Sequence, residues 1–447
     1  MAKQTVRNTA LTILLKIEQD EAYSNLLINQ AVEKNHLGPK DIALLTRLVY
    51  GTVQRKNTLD FYVNAFLKKE PELWVRVLLR LAVYQMAYLD RVPDRAVLHE
   101  SVEIAKQRGH KGISGLVNGV LRTIQRKGLP DTTGVKDSLE TLALETSHPQ
   151  WLLKHWLTQY DKETVRGICE ANNTLPEVTI RTNTTKTTRD QLLNDLKSEE
   201  IEAEIGALAP EAVKIKKGAV QHTAGFKNGM LAIQDESSML AAHALDVKEG
   251  MDILDGCAAP GGKTTHIAQL LNNTGSVTAL DLHKHKAKLI EEQALRLGLT
   301  NITAKTLDSR NASERFQAES FDRILVDAPC SGFGVIRRKP DIKWGKSPDD
   351  IHKLSVLQGE ILQALALLLK PGGKLVYSTC TIEETENQRV VASFLKRNRN
   401  FALDKTLAER LPGTLKDYSD PGKGQVQILP HQFGTDGFYI AVLRKER

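Results

Sequence analysis

The chain contains little cysteine, few aromatic residues and no long apolar run. Its 447 residues include four cysteines, and aromatic residues make up 5%. No two cysteines form a C-x-x-C pair, which excludes a disulfide framework and a zinc knuckle, so we expect reduced thiols. No apolar run approaches the roughly 18 residues that a membrane span needs. The first residues also lack the apolar stretch of a signal peptide, and we therefore expect a cytoplasmic protein that contacts no membrane.

The positive charge surplus lies mostly in the first third of the chain. The formal net charge is +7, and residues 1–150 contain 21 Lys and Arg against 16 Asp and Glu, whereas the remainder contains 40 against 38. A basic surface favours a polyanionic partner such as nucleic acid, although it often serves solubility alone. A length of 447 residues exceeds the roughly 100 to 200 residues of one domain, so we expect two or three domains.

Three segments with different periodicity follow one another. Apolar residues recur at helical spacing through "GLVNGVLRTIQRKG", which predicts an all-helical domain over residues 1–130. The stretch "RKGLPDTTGVKDS" then indicates a linker. Residues 142–235 mix helix and strand patterns and predict a small α/β module. Strands alternate with helices over residues 236–447, which predicts a doubly wound, parallel sheet.

The turn "DILDGCAAPGGKTTHIAQLL" joins a strand to a helix through small residues, which allow a ligand to approach the backbone at a helix N-terminus. A phosphate-binding P-loop would need glycine at position 257, where the chain has Cys257. A nucleoside site instead needs acidic residues at the ends of the following strands, and Asp281, Asp308 and Asp327 occupy such positions. The alternative for each carboxylate is that it only caps the next helix.

Two of the four cysteines follow strand patterns, in "RILVDAPCSGFG" and "KLVYSTCTIEETEN". A strand end that opens into a loop is where α/β enzymes place reactive groups. If the two strands pair, Cys330 and Cys380 lie close enough to reach one flipped base, because neighbouring strands are about 4.8 Å apart. A lone cysteine in a strand is usually an inert buried residue. Two cysteines in these positions instead favour a catalytic role.

The three motifs "DGCAAPGGKT", "VDAPCSGFGVIRRKPDIKW" and "YSTCTIEETENQ" together resemble the RNA cytosine-5 methyltransferases that use S-adenosylmethionine. The stretches "LLTRLVYGTVQRKNTLD" and "GLVNGVLRTIQR" resemble the NusB-type helical RNA-binding fold, and the combination is similar to the Fmu/Sun (RsmB) family, which methylates small-subunit ribosomal RNA. The resemblance spans nearly the whole chain. It implies a doubly wound, Rossmann-like S-adenosylmethionine-dependent methyltransferase domain, preceded by an all-α NusB-like domain and a small α+β module.

The resemblance also implies roles for individual residues. It makes Cys380 the nucleophile that adds to the base, whereas the Pro-Cys motif of DNA cytosine-5 methyltransferases would nominate Cys330. Cys330 is then expected to help release the product. Asp327 is expected to hold a proton against ring nitrogen 3 or to accept from the exocyclic amine. The residues expected around the methyl donor are Cys257, Ala258, Ala259, Pro260, Gly261, Gly262, Lys263, Asp281, Asp308 and Asp327.

Further expectations concern RNA, metals and two departures from the family pattern. The basic residues of "RRKPDIKW" are suited to phosphate contacts, with a solvated loop as the alternative. The histidines, His266 among them, show no ligand spacing, so we expect no metal. Phe333 stands where the family often has Thr, and Gly256 is smaller than in many relatives, where any small or apolar side chain should serve. The basic residues in question are Arg337, Arg338, Lys339 and Lys343.

We therefore expect a monomer that methylates carbon 5 of a cytosine in the ribosomal RNA of the small subunit, with S-adenosylmethionine as donor. One alternative is the same chemistry on transfer RNA. The other is a non-catalytic RNA-binding or antitermination factor that retains the fold.

Overall fold

The computed structural model describes residues 5–20, 23–417 and 419–446. Its internal contacts divide the chain into two units, and each is described by itself. The first unit comprises Met1–Thr174 together with Ile336–Gly345, and the second comprises Leu175–Val335 and Lys346–Arg447.

The first unit is helical throughout its described residues, as the sequence predicts for its first 130 residues. Helices continue past the predicted linker, because residues 138–172 form three more helices that belong to the same unit. The helices are α1 Val6–Asp20, α2 Ser24–Asn35, α3 Pro39–Gln54, α4 Lys56–Asn64, α5 Leu73–Tyr88, α6 Asp94–Arg108, α7 Lys111–Lys127, α8 Ser138–Thr146, α9 Gln150–Trp156 and α10 Lys162–Asn172.

Helix α7 illustrates how the sequence builds this unit. Its buried residues Val117, Val120, Leu121 and Ile124 recur at spacings of three and four, so one stripe of the helix faces the common apolar core. The helix ends where Gly128 adopts a φ of +80°, a backbone conformation that favours glycine.

The segment Ile336–Gly345 belongs to the first unit although it follows the Cys330 loop in the chain. The Asp341 carboxylate accepts hydrogen bonds from the backbone N–H and the hydroxyl of Ser24, at 3.1 and 2.7 Å. The ammonium of Lys343 donates to the carbonyl of Gln54 at 2.7 Å. These contacts fix the segment within the helical unit.

The second unit contains a small sheet and a large one. The small sheet is antiparallel, with strand order β2-β3-β1-β4, and its core is shared with the helices α11 and α12. Both helices and strands are therefore present in this small module, as the sequence predicts. The elements are β1 Val178–Thr182, α11 Arg189–Ser198, β2 Glu202–Ile205, β3 Ala212–Lys217, α12 Ala224–Lys227 and β4 Leu231–Ile233.

The large sheet has the order β10-β12-β9-β8-β5-β6-β7, with β11 paired to β12. The strands from β9 to β7 in this order are mutually parallel, whereas β12 runs antiparallel to its neighbours. The elements are α13 Glu236–Ala244, β5 Asp252–Asp255, α14 Gly262–Leu270, β6 Ser276–Asp281, α15 Lys284–Leu297, β7 Ile302–Thr306, β8 Phe321–Asp327, α16 Pro348–Ala366, β9 Leu369–Thr379, α17 Gln388–Arg397, β10 Phe401–Leu403, β11 Gln425–Ile428 and β12 Phe438–Lys445.

Helices cover both faces of this sheet, so the predicted doubly wound architecture is confirmed. Ile253 packs in a core with α13 and α14, whereas its neighbour Leu254 packs in a second core with α16 and α17. Strand residues that alternate between two apolar layers are what a doubly wound sheet requires. No helix among the described residues has the length and apolar character needed to cross a membrane.

Candidate active site

The candidate site lies at the carboxyl ends of β5 and β8, the neighbouring parallel strands at which the strand order reverses. Ligands of doubly wound sheets bind at this switch point. The loop that leaves β5 is held between the two strands beside it, because Gly256 N–H donates to the Leu325 carbonyl and Ala258 N–H donates to the Leu280 carbonyl, both at 2.9 Å.

At one position of this loop, the backbone conformation favours glycine. Gly261 adopts a φ of +100°, and a Cβ there would lie 3.2 Å from the Cα of Ile290. The helix α14 begins at the next residue, Gly262, so the loop delivers the chain directly into a helix N-terminus. The sequence prediction of a strand, a Gly-rich turn and a helix is therefore confirmed.

Carboxylates surround the Gly-rich loop. Burial raises the pKa of Cys257 well above its usual value, and the charges of Asp255, Asp327, Asp281 and Asp308 raise it further. S-adenosylmethionine carries a sulfonium and an ammonium, and its ribose hydroxyls need acceptors, so a loop ringed by carboxylates suits this donor. The residues present thus fit the donor that the family resemblance implies.

Two of these carboxylates already hold local structure. Asp281 accepts a hydrogen bond from the backbone N–H of His283 at 3.0 Å. Asp308 lies two residues beyond β7, accepts from the backbone of Arg310 and pairs with its guanidinium at 2.7 Å, and these contacts lower the pKa of Asp308. The capping alternative from the sequence is therefore present at Asp308, whereas Asp281 accepts from a backbone N–H at the start of α15.

Asp255 is a buried acid that sequence analysis missed. Its Oδ2 atom accepts from the hydroxyl of Thr264 at 2.7 Å, whereas Oδ1 has no hydrogen-bond partner among the described residues. Burial raises the pKa of Asp255 to about 7. The motif "DILDG" places it at the end of an apolar strand, which was a usable signal.

Asp327 is held in place by two neighbours. Its Oδ2 atom lies 2.7 Å from the ammonium of Lys263, and its Oδ1 atom accepts from the hydroxyl of Ser378 at 2.8 Å. The Lys263 ammonium also lies over the ring of Phe438, 5.0 Å from its centre. Lys263 is therefore engaged by Asp327, a partner that the sequence does not identify.

The side chains of Cys330 and Cys380 are in contact. Strands β8 and β9 are parallel neighbours, and the sulfur atoms of Cys330 and Cys380 lie 3.4 Å apart. Cys380 follows β9 directly, whereas Cys330 lies three residues beyond the end of β8. The predicted proximity of the two sulfur atoms is therefore present, although only one of them stands at a strand end.

Charge distinguishes the two thiols. Burial by itself lowers the pKa of Lys263, but the negative charges of Asp327 and of the Cys380 thiolate outweigh this and raise it. Interactions of this kind are reciprocal, so the Lys263 ammonium stabilises a thiolate at Cys380. The contact with Cys380, followed by burial, raises the pKa of Cys330 well above its usual value. The Lys263 ammonium therefore acts on Cys380, whereas the surroundings of Cys330 favour its protonated thiol.

A buried glutamate supports the Cys330 loop. The Oε2 atom of Glu386 accepts from the backbone N–H of Ser331 at 2.8 Å and from the amide of Gln358 at 2.9 Å. The same Gln358 amide donates to the carbonyl of Pro329 at 2.9 Å. Glu386 and Gln358 thus hold the backbone on both sides of Cys330. Glu386 lies in the quoted motif "TIEETENQ", but the spacing alone gives it no role.

A buried asparagine supports Cys380 in the same way. The Asn387 oxygen accepts from the hydroxyl of Thr379 at 2.5 Å, and its amide donates to the Thr381 carbonyl and to the Gln427 side chain, each at 3.0 Å. Thr379 and Thr381 flank Cys380 in the chain. One side chain therefore bonds to the residues on both sides of the expected nucleophile, through the hydroxyl of Thr379 and the carbonyl of Thr381.

The two departures from the family pattern have different consequences. Phe333 is fully buried, so the larger side chain is accommodated inside the loop. At Gly256, a Cβ would lie 2.2 Å from the Cδ1 atom of Leu365, a side chain that is itself buried. A larger residue at Gly256 therefore requires the end of the Leu365 side chain to shift, and the expectation that any small or apolar side chain would serve there stays a prediction.

The basic segment after the Cys330 loop is only partly available for RNA. Lys343 is fully buried and Arg337 is 7% exposed, whereas Arg338 is half-buried and Lys339 is exposed. The prediction of a phosphate contact is wrong for Lys343, whose ammonium is enclosed and bonded to a carbonyl, and Arg337 offers little surface. Of the four predicted residues, Lys339 is best placed for phosphate.

This fold and site define the class of S-adenosylmethionine-dependent methyltransferases: a doubly wound sheet with a Gly-rich loop and carboxylates at its switch point. Sequence models agree in detail. The model of the 16S rRNA methyltransferase RsmB/F family matches residues 242–444, the NusB family model matches residues 4–126, and the model of an RsmF/B-like ferredoxin-like domain matches residues 148–221.

Relatives match along the full chain. A "Probable ribosomal RNA small subunit methyltransferase B" of Bacillus subtilis is 53% identical over 448 residues, covering 100% of both chains. A "Ribosomal RNA small subunit methyltransferase B" of Enterobacter sp. is 36% identical and also covers 100% of both chains. The solved structure of the protein PH0851 is 27% identical, with a TM-score of 0.82 over 100% of this chain and 99% of that one. The chain belongs to the RsmB/F family of 16S rRNA methyltransferases.

Proposed function

We propose that this protein transfers the methyl group of S-adenosylmethionine to carbon 5 of a cytosine in the 16S rRNA of the small ribosomal subunit, in the cytoplasm. The observation that carries the proposal is the pair of sulfur atoms 3.4 Å apart beside the Lys263–Asp327 pair. Carbon 5 of cytosine is a poor nucleophile, and a thiolate that adds to carbon 6 converts the ring into an enamine that can attack a methyl group.

Cys380 supplies that thiolate. The Lys263 ammonium favours its charged form, and the loop held by Asn387 fixes its backbone. As the carbon 6–sulfur bond forms, the Asp327 carboxylate, which Ser378 and Lys263 orient, accepts a hydrogen bond from the exocyclic amine, and ring nitrogen 3 takes up a proton from water. The enamine carbon 5 then bonds to the methyl carbon, and the carbon–sulfur bond of the sulfonium breaks.

Release needs two further bond changes. The proton on carbon 5 leaves to a base, and the carbon 6–sulfur bond breaks to regenerate the Cys380 thiolate. Cys330 assists this step, because its sulfur lies 3.4 Å from that of Cys380 and therefore beside the carbon–sulfur bond that breaks. The protonated state that its surroundings favour keeps it from competing for carbon 6.

The substrate assignment rests on the names of the relatives, which are small-subunit rRNA methyltransferases. A helical unit with the positive surplus of the chain supports RNA as partner. Donor binding is assigned to the loop Cys257–Lys263 together with Asp281. Asp281→Ala should therefore weaken donor binding and leave RNA affinity nearly intact, as measured by calorimetry. Asp308→Ala is the comparison variant, and it also removes the ion pair of Asp308 with Arg310.

The central experiment is denaturing electrophoresis of the protein with labelled 16S rRNA and S-adenosylmethionine. Cys380→Ala should give neither methylation nor a covalent adduct. Cys330→Ala should still attack and methylate but remain covalently joined to the RNA. An adduct with Cys380→Ala and none with Cys330→Ala would reverse the two roles.

Two controls separate this proposal from its alternatives. Bisulfite mapping of ribosomal and transfer RNA from a deletion strain identifies the modified RNA, and loss of a signal only in transfer RNA would contradict the rRNA assignment. If neither RNA changes and the wild-type protein forms no adduct, the chain acts as a non-catalytic RNA-binding factor. Cys169→Ala is the matched thiol control, because Cys169 is buried in the helical unit.

A further inference from the structure

A second cluster of ligand-type side chains lies in the second unit, formed by Glu211, His243 and His266. Their ligand atoms all lie within 4.8 Å of one another. The Nε2 atom of His266 is 2.6 Å from Oε1 of Glu211, and the Nε2 atom of His243 is 3.0 Å from the same oxygen. The two imidazole rings meet edge to face, with centres 5.2 Å apart. Both nitrogens thus converge on one carboxylate.

Three different elements supply these residues. Glu211 directly precedes β3 of the small sheet, His243 lies in α13, and His266 lies in α14, the helix that begins at the donor loop. Their separations in sequence match no metal motif, which is why the sequence predicted no metal. Only the folded chain brings the three together.

A hydrogen-bonded triad does not fully account for the cluster. His266 is completely buried, and neither of its ring nitrogens has a partner in hydrogen-bond geometry among the described residues, despite the short approach to Glu211. A buried polar atom without a partner is costly. Two imidazole nitrogens and one carboxylate oxygen form a ligand set that zinc and neighbouring transition metals use in proteins.

We propose that Glu211, His243 and His266 bind one divalent transition-metal ion of the zinc class, which joins the small sheet to helices α13 and α14. Such an ion would satisfy the buried Nε2 of His266 and would fix α14, and hence the start of the donor loop, against the segment before β3. Its role is structural, and it takes no part in methyl transfer.

The surrounding charge limits the affinity of this site. The charge of Arg181 acts on both His266 and Glu211, and its guanidinium is engaged by Gln269 and Thr265. Three ligands beside a cation should bind zinc more weakly than a four-ligand structural site does.

The test is zinc titration of the full-length protein after chelator treatment. The Cys380→Ser background removes the thiol pair, which would otherwise compete for zinc. We expect one zinc per chain by calorimetry and elemental analysis, together with a rise in melting temperature. Cobalt should give visible absorption bands without the near-ultraviolet bands of thiolate ligation. No stoichiometric zinc in this background would overturn the proposal.

His243 is the partly exposed member of the cluster, so its substitution should disturb folding less than substitution of the buried His266. His243→Ala should weaken zinc binding at least ten-fold and abolish the zinc-dependent rise in melting temperature. The matched control is His283→Ala, because His283 is exposed and stacked on another histidine outside the cluster. Glu211→Gln should behave like His243→Ala. Equal zinc affinity in His243→Ala and His283→Ala would show that the cluster is only a hydrogen-bonded contact.

Discussion

Replacing Lys263 by methionine tests the charge pair at the centre of the candidate site. The ammonium and the Asp327 carboxylate are 2.7 Å apart, and their side chains are only 13% and 27% exposed. Removing one partner of a fully buried pair costs roughly 3 to 5 kcal/mol, whereas an exposed pair contributes about 1 kcal/mol or less. The burial of the Lys263–Asp327 pair is intermediate, so Lys263→Met should lower the free energy of unfolding by about 2 to 3 kcal/mol. The loss arises because the Asp327 carboxylate is left without its cation.

The assay is thermal unfolding of the single variants Lys263→Met and Asp327→Asn and of the double variant. Each single substitution should lower the melting temperature of the second unit by about 5 to 10 °C. The double variant should recover part of that loss, since neither charge is then left alone. Lys370→Met is the matched control: its pair with Asp322 at 2.9 Å is more exposed and should cost below about 1 kcal/mol.

Lys263→Met should also change the pH at which Cys380 is alkylated. Without the Lys263 ammonium, a thiolate at Cys380 loses a stabilising charge, so the alkylation rate of Cys380 should rise at a higher pH than in the wild type. Iodoacetamide labelling followed by mass spectrometry measures this profile. Additive effects in the double variant, or an alkylation profile unchanged from wild type, would refute the proposed coupling of Lys263 to Asp327 and Cys380.

Three further predictions concern Asp255, the Cys330 loop and the basic segment that follows it. The raised pKa of Asp255, about 7, means that the folded chain holds its proton longer than the unfolded chain does. Stability should therefore fall by about 3 to 4 kcal/mol between pH 4 and pH 7, and Asp255→Asn should flatten this part of a melting-temperature profile. Glu386→Ala should speed hydrogen exchange and alkylation at the Cys330 loop, and unchanged rates would contradict its supporting role. Lys339→Ala should reduce the salt slope of RNA binding by about one, whereas Lys343→Met should leave that slope unchanged in filter-binding assays.

The sequence predicts the large features of this fold because they depend on local pattern. Helical spacing identifies the first unit, and the alternation of apolar strands with helices identifies the doubly wound sheet. The loop Cys257–Lys263 and the pairing of the strands that precede Cys330 and Cys380 follow from the same pattern. Parallel neighbours place their carboxyl ends at one edge of a sheet, so two motifs that follow such strands are expected to meet there.

The supporting groups of the site are harder to predict, because their partners come from distant parts of the chain. Gln427 accepts a hydrogen bond from Asn387, and the amide of Gln358 donates one to Glu386. Sequence spacing contains no information about which of several acids in "TIEETENQ" turns inward. The same limit explains the cluster of Glu211 with two histidines, whose three members are separated by complete helices and strands.

The segment Ile336–Gly345 shows why composition is a weak guide to exposure. A run of arginine and lysine is typical of a solvated loop, yet Lys343 is fully buried in the helical unit. Its burial is possible because the Gln54 carbonyl, far away in sequence at the end of α3, accepts from the Lys343 side-chain nitrogen. Burial also lowers the pKa of Lys343, which reduces the charge that must be enclosed. Ser24 satisfies Asp341 in the same way. The first unit thus supplies the polar partners for a segment that follows the Cys330 loop in the chain, and substitutions at Lys343 or Asp341 act on the helical unit rather than on RNA contacts.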